Sequence, residues 1–276
     1  MKVFRHAFDF YINSSIHVAL AVCSMAWITL LKFDLPFDGW LLGFIFFASI
    51  TGYNFVKYFG IAKFHHRSLA QWLKMIQLFS LLCFILMCYF AFHLEERTLI
   101  YIAVFALITF LYAIPFFPKD LFIDKQRNLR SIGGLKVYVI GLVWAGVTVL
   151  LPLLNQEYHY DADVWITALQ RFLLVILMML PFEIRDLQYD SLKLSTIPQK
   201  IGINNTKTMG VLLGMGFFLL EFLKDFNYPN EILISFLIAL TTILLLVFAR
   251  KNQQAYYSSF WVESVPVFWL FLHFIL

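Results

Sequence analysis

Nine apolar stretches of about 17–22 residues follow one another along this chain, and a sequence built that way folds in lipid. They run over 11–31, 38–56, 75–93, 98–116, 134–154, 164–182, 208–224, 230–249 and 255–275. Each is long enough to cross a bilayer as a helix. The first, second and last are interrupted by polar residues, which softens their ends. Charged residues make up only 14% of the chain, against about one quarter in a soluble domain. The expectation is one all-α domain over 1–276, a polytopic integral membrane protein with nine transmembrane helices. Lys2 and Arg5 ahead of the first stretch resemble the start of a signal peptide. No small-residue cleavage site follows, so the stretch reads as a retained helix. Cys23, Cys83 and Cys88 lie in apolar runs without a metal or disulfide pattern, and read as packing residues.

The charges sort by side. With the N-terminus in the cytoplasm, 17 of the 21 basic residues fall in inside segments. Lys32, Arg97, Arg171 and Lys224 are the remainder. The outside turns are short and acidic, as in Glu95-Glu96 and Asp161 with Asp163. This predicts a cytoplasmic N-terminus and an outside C-terminus, in a cytoplasmic or inner membrane. A net charge of +4 argues against nucleic acid as a partner. The three long connections, about 57–74, 117–133 and 183–207, all face inside. Long loops on one face of a scaffold are where function concentrates.

The third long connection opens with Glu183-Ile184-Arg185-Asp186-Leu187-Gln188-Tyr189-Asp190, directly after an apolar run that ends at Pro181. On a helix Glu183, Asp186 and Asp190 share one face. Three adjacent carboxylates repel one another, and a divalent cation would relieve that repulsion and could bind a diphosphate. The alternative is a solvated helix end whose Arg185 and Lys193 make weak surface ion pairs. Pro181 should loosen the preceding helix, and Gly202 should end the segment after Thr196-Ile197-Pro198.

Those residues carry a resemblance. Glu183-x-x-Asp186-x-x-x-Asp190, Lys193 and Thr196-Ile197-Pro198-x-x-x-Gly202 resemble the second aspartate-rich motif of the UbiA family of intramembrane prenyltransferases. Asn54 stands where that family's first motif begins. Leu111-Tyr112-Ala113-Ile114-Pro115 with Lys119 is similar to its Y-S-x-P…K segment. The resemblance implies a UbiA-like helical bundle. It also implies transfer of an isoprenoid chain from a polyprenyl diphosphate to a lipophilic acceptor in the bilayer. Asp186 and Asp190 would be magnesium ligands supported by Glu183, Lys193 and Lys119 would stabilise the diphosphate, and Tyr112 would position it. Tyr112 reads equally well as an interfacial aromatic anchor.

One half of the pattern departs from the family. Its first-motif aspartates align with Phe55, Tyr58 and Ala62, so a single magnesium site is implied. Basic residues occupy this region instead. Lys57, Lys63 and Arg67 could contact a diphosphate directly, or could form a positive-inside loop against anionic lipid. Arg127 and Arg130 carry the same two readings. The loss of the first motif keeps open a non-catalytic relative that binds a lipid diphosphate or serves assembly. A transporter would need ionisable residues deep in the helices, where Glu263 is the main candidate.

Overall fold

The computed structural model describes residues 2–58, 67–113, 134–188, 196–225 and 228–276, and among these every regular element is helical. In chain order they are α1 (Lys2–Asn13), α2 (Ile16–Lys32), α3 (Gly39–Tyr58), α4 (Arg67–Ala91), α5 (Glu96–Ala113), α6 (Leu135–Ala145), α7 (Leu151–Asn155), α8 (Ala162–Asp186), α9 (Ile197–Leu219), α10 (Pro229–Phe248) and α11 (Val265–Ile275). A π-helical turn, Gly146–Leu150, joins α6 to α7. Another, Tyr257–Val262, precedes α11.

Seven helical segments are long and apolar enough to cross a membrane. An eighth is the pair Phe4–Asn13 and Ile16–Lys32, bent by 55°. The ninth expected stretch, 98–116, corresponds to α5 and runs past the described residues. The polytopic all-α expectation therefore stands, with seven or eight spans among the described residues.

Three local expectations change. The first stretch is broken because Ser15 adopts left-handed φ 64°. Its hydroxyl is fully buried against Asn54, 39 positions away, a contact that local pattern does not reveal. Pro181 does not loosen its helix, since α8 continues through it to Asp186. Pro181 and Ile184 are both buried, so tertiary packing outweighs the missing backbone hydrogen bond. Gly202 does break the helical path of α9, with φ 81° and ψ 162°. Chain beyond that break resumes the helix.

Helix α8 is the hub. Leu174, Val175 and Met178 join the larger core with α2, α3, α10 and α11. Ile176, Leu177, Leu180 and Ile184 pack toward α9 and the end of α10. By contrast α4 and α5 present Leu78, Leu82, Ile85, Val104 and Leu107 outward, as helices do against acyl chains.

Polar contacts define the two ends of the bundle. At one end Ser15 meets Asn54, Lys136 meets Glu183, and Gln253 donates to the Pro181 carbonyl. At the other, Lys32 meets Glu221 and Glu231, while Asn155 and Gln156 donate to Asp38. Lys57, Lys136, Arg185, Lys207 and Arg250 lie toward the first end.

Candidate functional site

Helix α8 carries the acids. Glu183 and Asp186 lie three residues apart in its last turns, hence on one face. Glu183 is 1% exposed, a depth that a carboxylate tolerates only beside compensating charge. Lys136, in the first turn of α6, places Nζ 3.6 Å from Glu183 Oε1. Asp186 is more open. Arg185 Nε donates to its Oδ1 at 2.8 Å, and the same guanidinium stacks over Phe182 at 5.2 Å.

The chain that follows is locally determined. Gln199 Oε1 accepts from the Thr196 N–H at 3.0 Å, the reciprocal arm of a capping box. Pro198 occupies the first turn of α9, where its missing N–H costs nothing. Gly202 then takes a positive φ that a side chain would strain. The Thr-Ile-Pro-x-x-x-Gly signature is thus one capped helical turn with a glycine exit.

Helix α3 brings the second group. Asn54 is buried, and its amide is fully engaged. Oδ1 accepts from Ser15 Oγ at 2.8 Å, and Nδ2 donates to the Ser14 carbonyl at 3.0 Å and to Ser80 Oγ at 2.8 Å. The side chain therefore clasps the α1–α2 bend to α3 and α4. One turn on, Lys57 Nζ donates to Ser15 Oγ at 2.9 Å. Lys57 also lies within electrostatic range of Glu263, which sits between the π-helical turn and α11 inside the last apolar segment.

Glu263 lies within electrostatic range of both Lys57 and Arg185. The described centre thus holds two ion pairs, Glu183 with Lys136 and Asp186 with Arg185, with Glu263 nearby. Among the described residues, no three metal-ligating side chains gather in one place. Asp190, Lys193, Lys63, Lys119, Arg127 and Arg130 lie outside the described residues. Arg67 opens α4 and Tyr112 lies in the last turn of α5, with side chains outside the described set. The helix that would align Asp190 with the other acids reaches Asp186.

Two participants escaped the motif reading. Lys136 sits just inside an apolar run, where topology alone explains a lysine. Glu263 is visible as an isolated acid in such a run, but its partners come from 206 and 78 residues earlier.

Two solved structures share the fold. An apo UbiA homolog from Aeropyrum pernix K1 gives a TM-score of 0.67 at 15% identity, over 94% of this chain and 98% of that one. A digeranylgeranylglyceryl phosphate synthase gives 0.55 at 15% identity, over 96% of this chain and 92% of that one. No family model matches the chain, and no curated protein matches it. The likeness is one of architecture: the chain has a UbiA-like helical bundle, and it runs nearly the full length of both neighbours.

Proposed function

We propose that this protein is a UbiA-like membrane prenyltransferase, moving an isoprenoid chain from a polyprenyl diphosphate to a lipophilic acceptor within the bilayer. The observation that carries the reading is the end of α8. There Glu183 and Asp186 share a face, with Lys136 and Arg185 beside them, on a fold common to a UbiA homolog and a digeranylgeranylglyceryl phosphate synthase. The cation-rich end faces the cytoplasm in this reading, by the positive-inside bias.

Carboxylate oxygens suit magnesium, which needs only one or two of them when diphosphate oxygens and water complete its shell. Half-open Asp186 meets that description, with Asp190 as its partner and Glu183 supporting from behind. Bound there, magnesium would supply positive charge to the diphosphate. The chain's own cations do the rest. Lys193, Lys119, Arg127 and Arg130 stabilise the leaving diphosphate as the allylic carbon–oxygen bond breaks and its electron pair departs with the phosphate oxygen. Tyr112 positions the diphosphate. The acceptor's nucleophile then bonds to the allylic carbon and loses its proton. The apolar setting of the bilayer would exclude water from that cation.

A second reading, a non-catalytic lipid-diphosphate binder, is favoured by one observation. Asn54 and Lys57, at the position of the absent acidic motif, are already engaged by Ser14, Ser15 and Ser80. Turnover of labelled polyprenyl diphosphates by the purified chain, with and without magnesium, separates the two. Diphosphate release that disappears in Asp186→Ala and Asp190→Ala supports the enzyme. Binding without release supports the binder, and no binding rejects both.

A further inference from the structure

The end of the bundle opposite Glu183 and Asp186 holds a buried charge without a counter-charge among the described residues. Arg171, in α8, is 1% exposed. Its Nη2 donates to Thr29 Oγ1 at 3.2 Å, and its guanidinium lies 4.7 Å from the centre of the Trp269 ring. Nε and Nη1 have no hydrogen-bond partner among the described residues. The nearby carboxylates are committed elsewhere. Glu221 takes Lys32 and Lys224 at 3.4 and 3.1 Å, with Gln170 and Ser235 on its other oxygen at 2.9 Å each. Glu231 takes Lys32 at 2.8 Å and His273 Nδ1 at 3.1 Å. Two lysines balance two glutamates, so the Arg171 charge is left over.

A further donor belongs to the same indole. Trp269 is 3% exposed, and its Nε1–H has no partner among the described residues. Arginine does not shed its proton in proteins, so it escapes the cost of burial only through an acceptor. Cation–π contact with Trp269 offsets only part of the cost of burying an uncompensated ion. The deficit is one negative charge, and the unfilled positions are N–H groups.

We infer that Arg171 and Trp269 form a buried site for one small monovalent anion, halide in class, between α2, α8 and α11. The ion accepts from the spare guanidinium N–H groups and from the indole N–H. It does not depend on the prenyltransferase reading, because none of its residues belongs to the Glu183–Asp186 end.

The test uses the full chain in detergent, at constant ionic strength, with chloride replaced by gluconate. Bromide, a halide quencher, is then titrated against tryptophan fluorescence, and chloride is added back in competition. The expected result is saturable quenching, relieved by chloride and absent in Trp269→Phe. Chloride at a hundred times its dissociation constant should also raise Tm by about 5 °C. Arg171→Met should lose both responses while folding well in gluconate, since it removes the unbalanced charge. Non-saturable quenching in the unmodified chain, with equal Tm in chloride and gluconate, would mean that water alone serves Arg171, and would overturn the proposal. So would an undiminished response in Arg171→Met. Should a variant fail to fold, the competition between chloride and bromide on the unmodified chain decides alone.

Discussion

Replacing Asn54 by alanine tests whether this residue builds the site or touches the ligand. Its amide makes three contacts, but they are not equal losses. Ser80 Oγ still donates to the Ile76 carbonyl at 2.7 Å, so it gives up only an acceptor role. The Ser15 hydroxyl is fully buried and would lose its acceptor, while the Ser14 carbonyl would lose its donor. Orphaning a buried polar group costs about 1–3 kcal/mol, whereas interhelical hydrogen bonds inside membranes average only about 0.6 kcal/mol. Two orphaned groups at the low end of the first range give about 2 kcal/mol, or a fall in Tm of about 4–8 °C. Thermal unfolding in detergent reads this directly. Binding of a labelled polyprenyl diphosphate is measured beside it, below the transition. Because Lys57 leans on the same Ser15 hydroxyl, affinity should fall modestly in parallel. If Tm moves by less than about 1 °C while affinity drops tenfold, the clasp argument is wrong and Asn54 is a ligand residue.

Other expectations follow from neighbouring contacts. Lys57→Ala should weaken diphosphate binding and reduce its dependence on fixed charge, and unchanged affinity by equilibrium binding would remove Lys57 from the site. Lys136→Met takes a cation from a buried carboxylate 3.6 Å away, and should cost about 1–2 kcal/mol in denaturant unfolding, discounted because the lysine is partly exposed. Gly202→Ala should cost about 1–3 kcal/mol through backbone strain. Space is open around the added Cβ, so restored stability in a larger side chain would contradict that cause.

The apolar runs made the helices legible, because length and hydropathy alone decide what can cross a bilayer. Their interruptions were legible only as positions. Ser14-Ser15 announces a weak point, yet the bend depends on Asn54, and no local pattern names a partner that distant. Pro181 shows the converse: a strong local signal overruled by burial of its surroundings. At the site, motif spacing found Glu183 and Asp186 but neither Lys136 nor Glu263, since paired charges from separate helices leave no spacing to read. Arg171 was visible as one of four basic residues off the main pattern. Its lack of an acidic partner among the described residues became evident only once Glu221 and Glu231 were seen to be occupied.

The placement of Glu183 and Asp186 in the closing turns of α8 has an electrostatic consequence of its own. A helix gathers partial negative charge at its C-terminus, equivalent to about half an elementary charge, from carbonyls that lack an intrahelical donor. Acids normally avoid that end. Here the carboxylates and the backbone field add, so the turn attracts cations more strongly than its side chains alone would. Each cation drawn there gains about 0.3–1 kcal/mol from the backbone, and more where lipid and protein exclude water. Lys136 and Arg185 already answer that field, and whatever binds beside Asp186 must bring positive charge with it or displace them.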